Sequence, residues 1–424
     1  MQRTLTGELR PQLGRPTELG ARVRLAGWLH HQRRLARLTF VLLRDRDGLA
    51  QIVVECAETI EEIGRLLPET VLEVEATVAE SEQAPGGIEL RDPVFTVLSE
   101  PAESPPIELR RPVLKEQLPT LLDHASVALR HPRQRAAFEI AAASVAGYRA
   151  ALDRLGFVEI QTPKIVATAT EGGANVFRLD YFGRPAYLAQ SPQFFKQVMV
   201  GVFERVYEVG PVFRAEPHDT SRHLAEYVSL DAELGFIGDH FDVMRVLREA
   251  IAGMVEGIRE RAPGAAELLG VELPVVPDEI PWVHFADTGV EDVDLSPADE
   301  RRLCEEHGTE LLFVTGYPMA KRPFYTHPDP ERPEHSNSFD LLFRGLELVT
   351  GGQRLHRYGD YLSALAVRGL SPEPYEGYLQ AFRYGMPPHG GFAIGLERWV
   401  ARLTGAKNIR EVTLFPRDLN RLTP

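Results

Sequence analysis

Through residues 1–100 the apolar positions come in short runs rather than in a helical rhythm. VRLAGWLH (23–30), LTFVLLRD (38–45), LAQIVVE (49–55), TVLEVEATVA (70–79) and PVFTVL (93–98) are rich in β-branched and aromatic residues. Turn signals such as Asp47-Gly48 and Pro85-Gly86-Gly87 separate them. The pattern predicts five strands, and TIEEIGRLLP (59–68) predicts one short helix between them. Five strands and one helix in this length suit a small β-barrel of the oligonucleotide-binding (OB) type, with a two-sheet sandwich as the alternative. Residues 101–132 are punctuated by Pro101, Pro105, Pro106, Pro112, Pro119 and Pro132 and read as a hinge or linker. From residue 133 the texture changes. Phe138, Ile140, Val145, Tyr148 and Leu152 have helical spacing, with Gly156 as the stop. Strands then alternate with helices to residue 424 without a regular βαβ rhythm. The expected fold is α+β: a barrel over 1–100, a linker over 101–132 and a larger domain over 133–424.

The composition, 44% hydrophobic and 25% charged, excludes wholesale disorder. No run of about 18 uncharged apolar residues predicts a membrane span, and MQRTLTGELR lacks the apolar core of a signal peptide. Cys56 and Cys304 are the only cysteines, which excludes a disulfide framework or a cysteine-rich zinc site and makes a reducing cytoplasm the expected home. The net charge, 47 − 61 = −14, argues against a generic nucleic-acid coat. Charge is nevertheless local: residues 21–46 carry seven arginines against Asp45 alone, a basic patch that suits one nucleic-acid contact. Lysine is scarce, with five against 42 arginines, so each lysine draws attention.

Four segments carry candidate chemistry. In 206–236 alternation places Arg214 with Glu216, and Tyr227 with Ser229, Asp231 and Glu233, on one strand face each. That face suits a charged, ring-bearing ligand; cross-strand ion pairs on an exposed sheet are the plainer reading. In 345–360, Glu347 sits in an apolar strand broken at Thr350-Gly351-Gly352 and followed by Arg354. A carboxylate there suggests Mg²⁺ ligation or a buried Glu347–Arg354 pair. In 391–405 a Gly-rich strand enters a helix whose first turn holds Glu397 and Arg398, an arrangement suited to phosphate. Finally, ATEGGANVF (169–177) carries Glu171, and YLAQSPQFFKQ (187–197) places Gln193 and Lys196 in an apolar, aromatic run.

Taken together, GFVEIQTPKI, FRAE…RHLAEY and GLER resemble the three signature motifs of the class II aminoacyl-tRNA synthetases. QSPQ-x-x-K, LDAE and FDLLFRGLELVTGGQR resemble the aspartate-specific branch in its archaeal-type form, and the N-terminal barrel resembles its anticodon-binding domain. The resemblance covers essentially the whole chain. It implies an antiparallel catalytic sheet flanked by helices, and the joining of aspartate to tRNA through an aspartyl-adenylate made from ATP with Mg²⁺. It also implies residue roles. Arg214 would hold the α-phosphate and Arg398 the γ-phosphate. Glu216, Arg222, His223, Leu224, Gly395, Leu396 and Glu397 would border the nucleotide, whose adenine stacks on Tyr227. Glu347 and Thr350 would hold Mg²⁺. Glu171 and Gln193 would meet the α-amino end, while Lys196 and Arg354 clasp the side-chain carboxylate. Asp231 would orient that pair or help bind the ammonium, and Pro163 would sit at a homodimer interface. Aspartate would win over asparagine because an amide leaves two buried cations uncompensated.

In the barrel the resemblance aligns Phe40 with a base-stacking ring and Gln51 with a base reader; Phe40 as a core residue is the alternative. Strict tRNA(Asp) enzymes resemble W-V-W where this chain has Trp28-Leu29-His30, and tend to carry lysine where it has Pro85. Histidine and proline there resemble the non-discriminating members, which charge tRNA(Asp) and tRNA(Asn) alike and hand Asp-tRNA(Asn) to an amidotransferase. An asparagine-specific relative shares FRAE and RHLAE but is expected to lack QSPQ-x-x-K and the aspartate of LDAE. An inert RNA-binding paralogue is expected to have lost Arg214, Glu347 or Arg398.

Overall fold

The computed structural model describes residues 2–9, 18–167 and 175–424. The chain forms two compact units that divide after Gln134. In the first, β1 (Arg22–Arg34), β2 (Thr39–Arg44), β3 (Leu49–Val54), β4 (Val71–Glu80) and β5 (Ile88–Ser99) close into a barrel in the order β1-β2-β3-β5-β4. Helix α1 (Ala57–Gly64) joins β3 to β4. Alternation sends Val23, Leu25, Val41, Leu43, Ile52, Leu72, Val74 and Leu90 inward to one core, the burial that closes the barrel.

The expected bare linker is more structured than its prolines suggest. It carries α2 (Leu118–Asp123) and α3 (Ala125–Ala128), and Ile107, Leu109 and Ala128 form a small apolar cluster of their own. Arg130 reaches Glu69 of the barrel at 3.0 Å. Proline set the backbone direction here, but regularly placed apolar side chains still found a surface to bury.

The second unit starts within α4 (Pro132–Arg154), whose end at Gly156 has φ +78°. Next come β6 (Val158–Glu159) and a small sheet of β7 (Ile165–Val166), β8 (Arg178–Tyr181) and β9 (Arg184–Leu188). Helix α5 (Gln193–Phe203), β10 (Arg205–Phe213), β11 (Glu226–Gly235), α6 (His240–Arg261) and α7 (Pro263–Leu269) follow. The remaining elements are β12 (Trp282–His284), α8 (Pro297–Glu306), β13 (Leu311–Thr315), β14 (Ser338–Phe343), β15 (Glu347–Arg354), α9 (Tyr358–Val367), α10 (Glu376–Arg383), β16 (His389–Gly395) and α11 (Leu396–Thr404).

Eight strands make the main sheet in the order β12-β13-β14-β15-β16-β11-β10-β6. It is antiparallel through its centre, but β12–β13 and β6–β10 pair in parallel, so the sheet is mixed rather than purely antiparallel. Helices α4, α6 and α11 supply Ile140, Tyr148, Leu247, Met254, Trp399 and Val400 to the core on one face of the sheet. Helix α5 packs against β10, β11 and β16.

Candidate active site

Strand β11 builds the floor of the site. Its pleat sends Leu230, Ala232 and Leu234 into the core and leaves Ser229, Asp231 and Glu233 on the opposite face. Lys196, fully buried on α5, donates to Asp231 at 3.0 Å and to the Phe392 carbonyl at 3.0 Å, with Glu233 Oε2 at 3.4 Å. The Ser229 hydroxyl donates to the other Asp231 oxygen at 2.5 Å. Arg354, at the end of β15, donates from Nε to Glu233 Oε1 at 3.1 Å and from Nη2 to the Gly391 carbonyl at 3.0 Å. Its guanidinium lies 5.5 Å over the Tyr325 ring. Only glycine fits at 391, where a Cβ would lie 2.0 Å from Glu233 Oε2 and 2.1 Å from the Ala232 carbonyl.

Two expectations change here. Asp231 orients Lys196 only; Glu233 orients Arg354. The two cations are also already balanced by the two carboxylates. Burial works against a charged Glu233, but Arg354 and then Lys196 hold its carboxyl below the usual range. Preference for a carboxylate over an amide therefore cannot rest on uncompensated charge. What the pair offers is hydrogen-bond polarity: ammonium and guanidinium only donate, so an incoming amide N–H would face donors.

The clamp opens into a cavity of about 240 Å³ that Gln193, Thr350, Glu347, Arg214 and Arg398 also line. A smaller hollow of about 70 Å³ adjoins it, lined by Glu216, Arg222, His223, Leu224, Glu397 and Tyr227. Arg214, Gly395 and Arg398 wall both. Strand β10 ends at Phe213, so Arg214 and Glu216 share a direction through the following loop rather than through strand alternation. Their side chains approach to 3.8 Å, and His223 Nε2 lies 3.5 Å from Glu216. The Arg214 guanidinium sits 5.7 Å over the Tyr227 ring. Leu396 packs into the core rather than lining either hollow. Both Glu397 oxygens accept from the Val228 N–H, at 3.1 and 3.2 Å, and burial pushes its carboxyl up to about 7. Glu397 is thus a backbone tether beside Tyr227.

Glu347 does not pair with Arg354. Its carboxylate lies 3.5 Å from Arg398 and accepts from Thr350 at 3.3 Å, while Arg398 also donates to the Glu347 carbonyl at 3.0 Å. The side chain opens onto the cleft but is walled by protein elsewhere. That desolvation, and the neighbouring Asp340, push it up to about 7. Asp340 faces Thr350 across β14–β15. One of its oxygens is buried without a partner, and the other is 3.4 Å from Arg322. Glu300 accepts the Glu347 N–H at 3.0 Å and is itself raised by burial. Crowded, under-compensated carboxylates beside three arginines are a place for a hard cation and polyphosphate together. Among the described residues no three His, Cys, Asp or Glu stand close enough to hold a metal alone. This suits Mg²⁺, which takes one or two carboxylates and completes its shell with phosphate and water.

Gln193 is buried at the start of α5 and its Nε2 has no partner. Glu171 lies outside the described residues. Pro163 is exposed between β6 and β7, near exposed Val158 and Ile165.

On the barrel, Phe40 is not core. It shares the outer face of β2 and β3 with Gln51, and Arg33 lies 5.5 Å over its ring. His30 behaves differently from expectation. It occupies an irregularity in β1 between Leu29 and His31 and is buried, its Nδ1 3.0 Å from Arg44, which grips Glu69 bidentately at 2.8 and 2.7 Å. Burial, and then Arg44, lower its imidazole to about 4. His30 is thus held against Arg44 inside the barrel rather than presented at its surface. Pro85 opens the turn Pro85–Gly87 between β4 and β5.

Sequence reasoning placed Glu233 on the site face without giving it a role, and passed over Asp340, Arg322 and Tyr325. Glu233 was within reach, two residues beyond Asp231 on the same face. Asp340 was signalled by a lone acid in the apolar run FDLLF. Arg322 and Tyr325 come from a loop distant in sequence, and no local pattern announces them.

A family model described as tRNA synthetases class II (D, K and N) matches residues 117–419, and one described as OB-fold nucleic acid binding domain matches 23–98. The aspartate–tRNA(Asp/Asn) ligase of Thermus thermophilus is 46% identical over 419 residues, covering 96% of this chain and 97% of the relative. That of Deinococcus radiodurans is 45% identical over 445 residues, covering 100% and 99%. The crystal structure of asparaginyl-tRNA synthetase from Pyrococcus horikoshii complexed with asparaginyl-adenylate superposes with a TM-score of 0.92 at 32% identity and covers 100% of both chains. No helix among the described residues is long and apolar enough to cross a membrane. With a tRNA-binding barrel and a carboxylate-and-arginine cleft on a shared scaffold, the chain belongs to the class II aminoacyl-tRNA synthetases of the aspartate, lysine and asparagine group, ligases that use ATP.

Proposed function

We propose that the enzyme activates L-aspartate and transfers it to both tRNA(Asp) and tRNA(Asn). The observation that carries the amino-acid assignment is the donor-only clamp of Lys196 and Arg354, held by Asp231 and Glu233 at the end of the cavity. An aspartate side chain accepts from both cations. Gln193, with its unpartnered buried amide nitrogen, suits the substrate's α-substituents, and Glu171 is assigned to the ammonium. Arg214 would neutralise the α-phosphate and Arg398 the γ-phosphate, with adenine over Tyr227 and beside Glu216, Arg222, His223 and Leu224. Glu347 and Thr350 would hold Mg²⁺, and the orphaned Asp340 oxygen is a further donor. Bound Mg²⁺ would draw charge from the polyphosphate as pyrophosphate departs. The attacking α-carboxylate is already anionic, so the step needs no general base. Positioning and charge neutralisation suffice. A terminal tRNA hydroxyl then displaces AMP from the aspartyl-adenylate.

Three further assignments rest on indirect support. The barrel face with half-buried Phe40 and Gln51 and exposed Arg33 suits stacking on anticodon bases with backbone phosphates nearby. The relatives named for both tRNAs, together with His30 and Pro85 in this chain, support charging of tRNA(Asn) and hence delivery to an amidotransferase. An apolar groove of about 590 Å³ beside β11 and exposed Pro163 and Ile165 support a homodimer, in the cytoplasm where tRNA charging occurs. Asparagine activation is the second reading, favoured by the fold likeness to the asparaginyl enzyme; the all-donor clamp opposes it. Purified enzyme is expected to drive ATP–pyrophosphate exchange with aspartate and not asparagine, and to charge both tRNAs. Exchange with asparagine alone would reverse the amino-acid assignment, and failure to charge tRNA(Asn) would restrict the enzyme to tRNA(Asp).

A further inference from the structure

Behind the clamp lies a buried polar group that the proposed chemistry does not use. His389 opens β16 opposite Arg354 in the β15–β16 register and has no exposed surface. Its Nδ1 is 2.9 Å from the Pro387 carbonyl. A carbonyl can only accept, so Nδ1 carries the proton and Nε2 is left as an acceptor. The donor is the side-chain amide of Gln197, at 3.2 Å. Gln197 is fully buried and follows Lys196 directly on α5. Its Oε1 accepts from the Tyr378 hydroxyl at 2.6 Å, and the Tyr378 and Tyr361 hydroxyls are 2.8 Å apart. Tyr361 donates at 2.8 Å to the carbonyl of Leu355, the residue after Arg354. The Leu355 N–H in turn donates at 2.8 Å to the backbone carbonyl of Tyr325, a residue whose ring lies beneath the Arg354 guanidinium.

This chain of bonds starts beside Lys196 and ends beside Arg354. Strand β16 receives three ties within four residues: Gln197 at His389, Arg354 at Gly391 and Lys196 at Phe392. The last two are made by the cations that face the cavity. The first is made by side chains that do not line it. We infer that Gln197 and His389 are positioning residues that set the spacing of the Lys196 and Arg354 head groups, and with it the fit of a four-carbon dicarboxylate, without touching the substrate.

An apolar pair of equal volume would fill the same space but would give α5 no angular preference over β16; a hydrogen bond does. The neutrality of the ring matters as well. Around it stand Gln197 from α5, Phe382 from α10, Glu233 from β11, Arg354 from β15 and His356 beyond it. Burial first, opposed by Glu233 and the Pro387 bond and aided by Arg354 and His356, holds the imidazole at about 4. A neutral ring leaves the clamp's two cations balanced by Asp231 and Glu233; an imidazolium would add a third positive charge behind Arg354.

The inference rests on aspartate being the amino acid activated. A wild-type enzyme without aspartate-dependent exchange removes that reading, whereas an active wild type with indifferent variants removes only this one. In steady-state ATP–pyrophosphate exchange with the full-length enzyme, His389→Phe is expected to raise the KM for aspartate about tenfold, as small misplacements of binding groups do. The KM for ATP should stay within about twofold. Gln197→Glu keeps shape and volume but presents a carboxylate to Nε2, so the ring takes up a proton as pH falls. Its KM for aspartate is expected to become pH-dependent over about pH 6 to 8, where the wild type is flat, and adding His389→Phe should abolish that dependence. Parallel rises in both KM values for His389→Phe, or a flat aspartate profile for Gln197→Glu, would overturn the inference. Should His389→Phe fail to fold, the isosteric variant decides alone.

Discussion

Replacing Glu233 by glutamine isolates the electrostatic core of the site. The side chain has no exposed surface and faces Arg354 at 3.1 Å and Lys196 at 3.4 Å. Glutamine keeps the acceptor toward Arg354 and the volume above Gly391, so packing changes little and one negative charge is lost. The clamp then holds two cations against Asp231 alone. A unit charge pair at about 4 Å and an effective dielectric near 20 is worth ~4 kcal/mol. Removing one partner of a buried pair costs about 3–5 kcal/mol by measurement on other proteins. The two estimates agree, and at roughly 2–4 °C per kcal/mol the catalytic unit should lose about 6–20 °C in melting temperature. Aspartate offers a compensating carboxylate, so saturating aspartate should stabilise Glu233→Gln by more than it stabilises the wild type. Differential scanning fluorimetry or calorimetry, with and without aspartate, reads both effects. The pairing also has a pH signature. The folded pKa lies below the ordinary carboxylate value, so its stabilisation is present above that value and lost as pH falls through the folded pKa. If Glu233→Gln melts within about 1 °C of the wild type, or gains no more from aspartate than the wild type does, then Glu233 is not the counter-charge and the account of the clamp is wrong.

Other consequences are simpler to state. Glu347 is raised from 4.5 to about 7, so in the ligand-free protein its contribution favours folding below pH 4.5 and is lost as pH rises through about 7. Because a cation displaces that proton, the KM for Mg·ATP should rise about fivefold between pH 7 and pH 6, and Glu347→Gln should remove the exchange activity. Phe40→Ala should raise the KM for tRNA about tenfold, the loss of a base stack, while exchange without tRNA stays at the wild-type rate; an unchanged tRNA KM would show that the ring contacts no base. His30→Trp inserts a larger ring into a buried site and should lower the stability of the barrel unit by about 1–3 kcal/mol. It should also reduce charging of tRNA(Asn) more than of tRNA(Asp); equal charging ratios before and after would count against a role for His30 in tRNA choice.

Much of this architecture could be read from local pattern. The five barrel strands, the helix ending at Gly156 and the pleat that places Asp231 on the site face all follow from side-chain period and turn chemistry, which act within a few residues. The motifs containing Arg214, Lys196, Glu347 and Arg398 were legible because fixed chemistry constrains residue types at fixed spacing, and the structure gathers those side chains around one cavity. Other features were not local. Which carboxylate balances which cation depends on α5, β11, β15 and β16 meeting, and no spacing in the chain announces that Glu233, rather than Glu347, faces Arg354. The burial of His30 against Arg44 was not legible either, because a strand irregularity and a buried partner cannot be seen in a run of polar letters. Period and turn signals are properties of neighbours along the backbone. Charge balance and burial are properties of groups hundreds of residues apart, and they exist only once the sheet has brought them within a few ångströms.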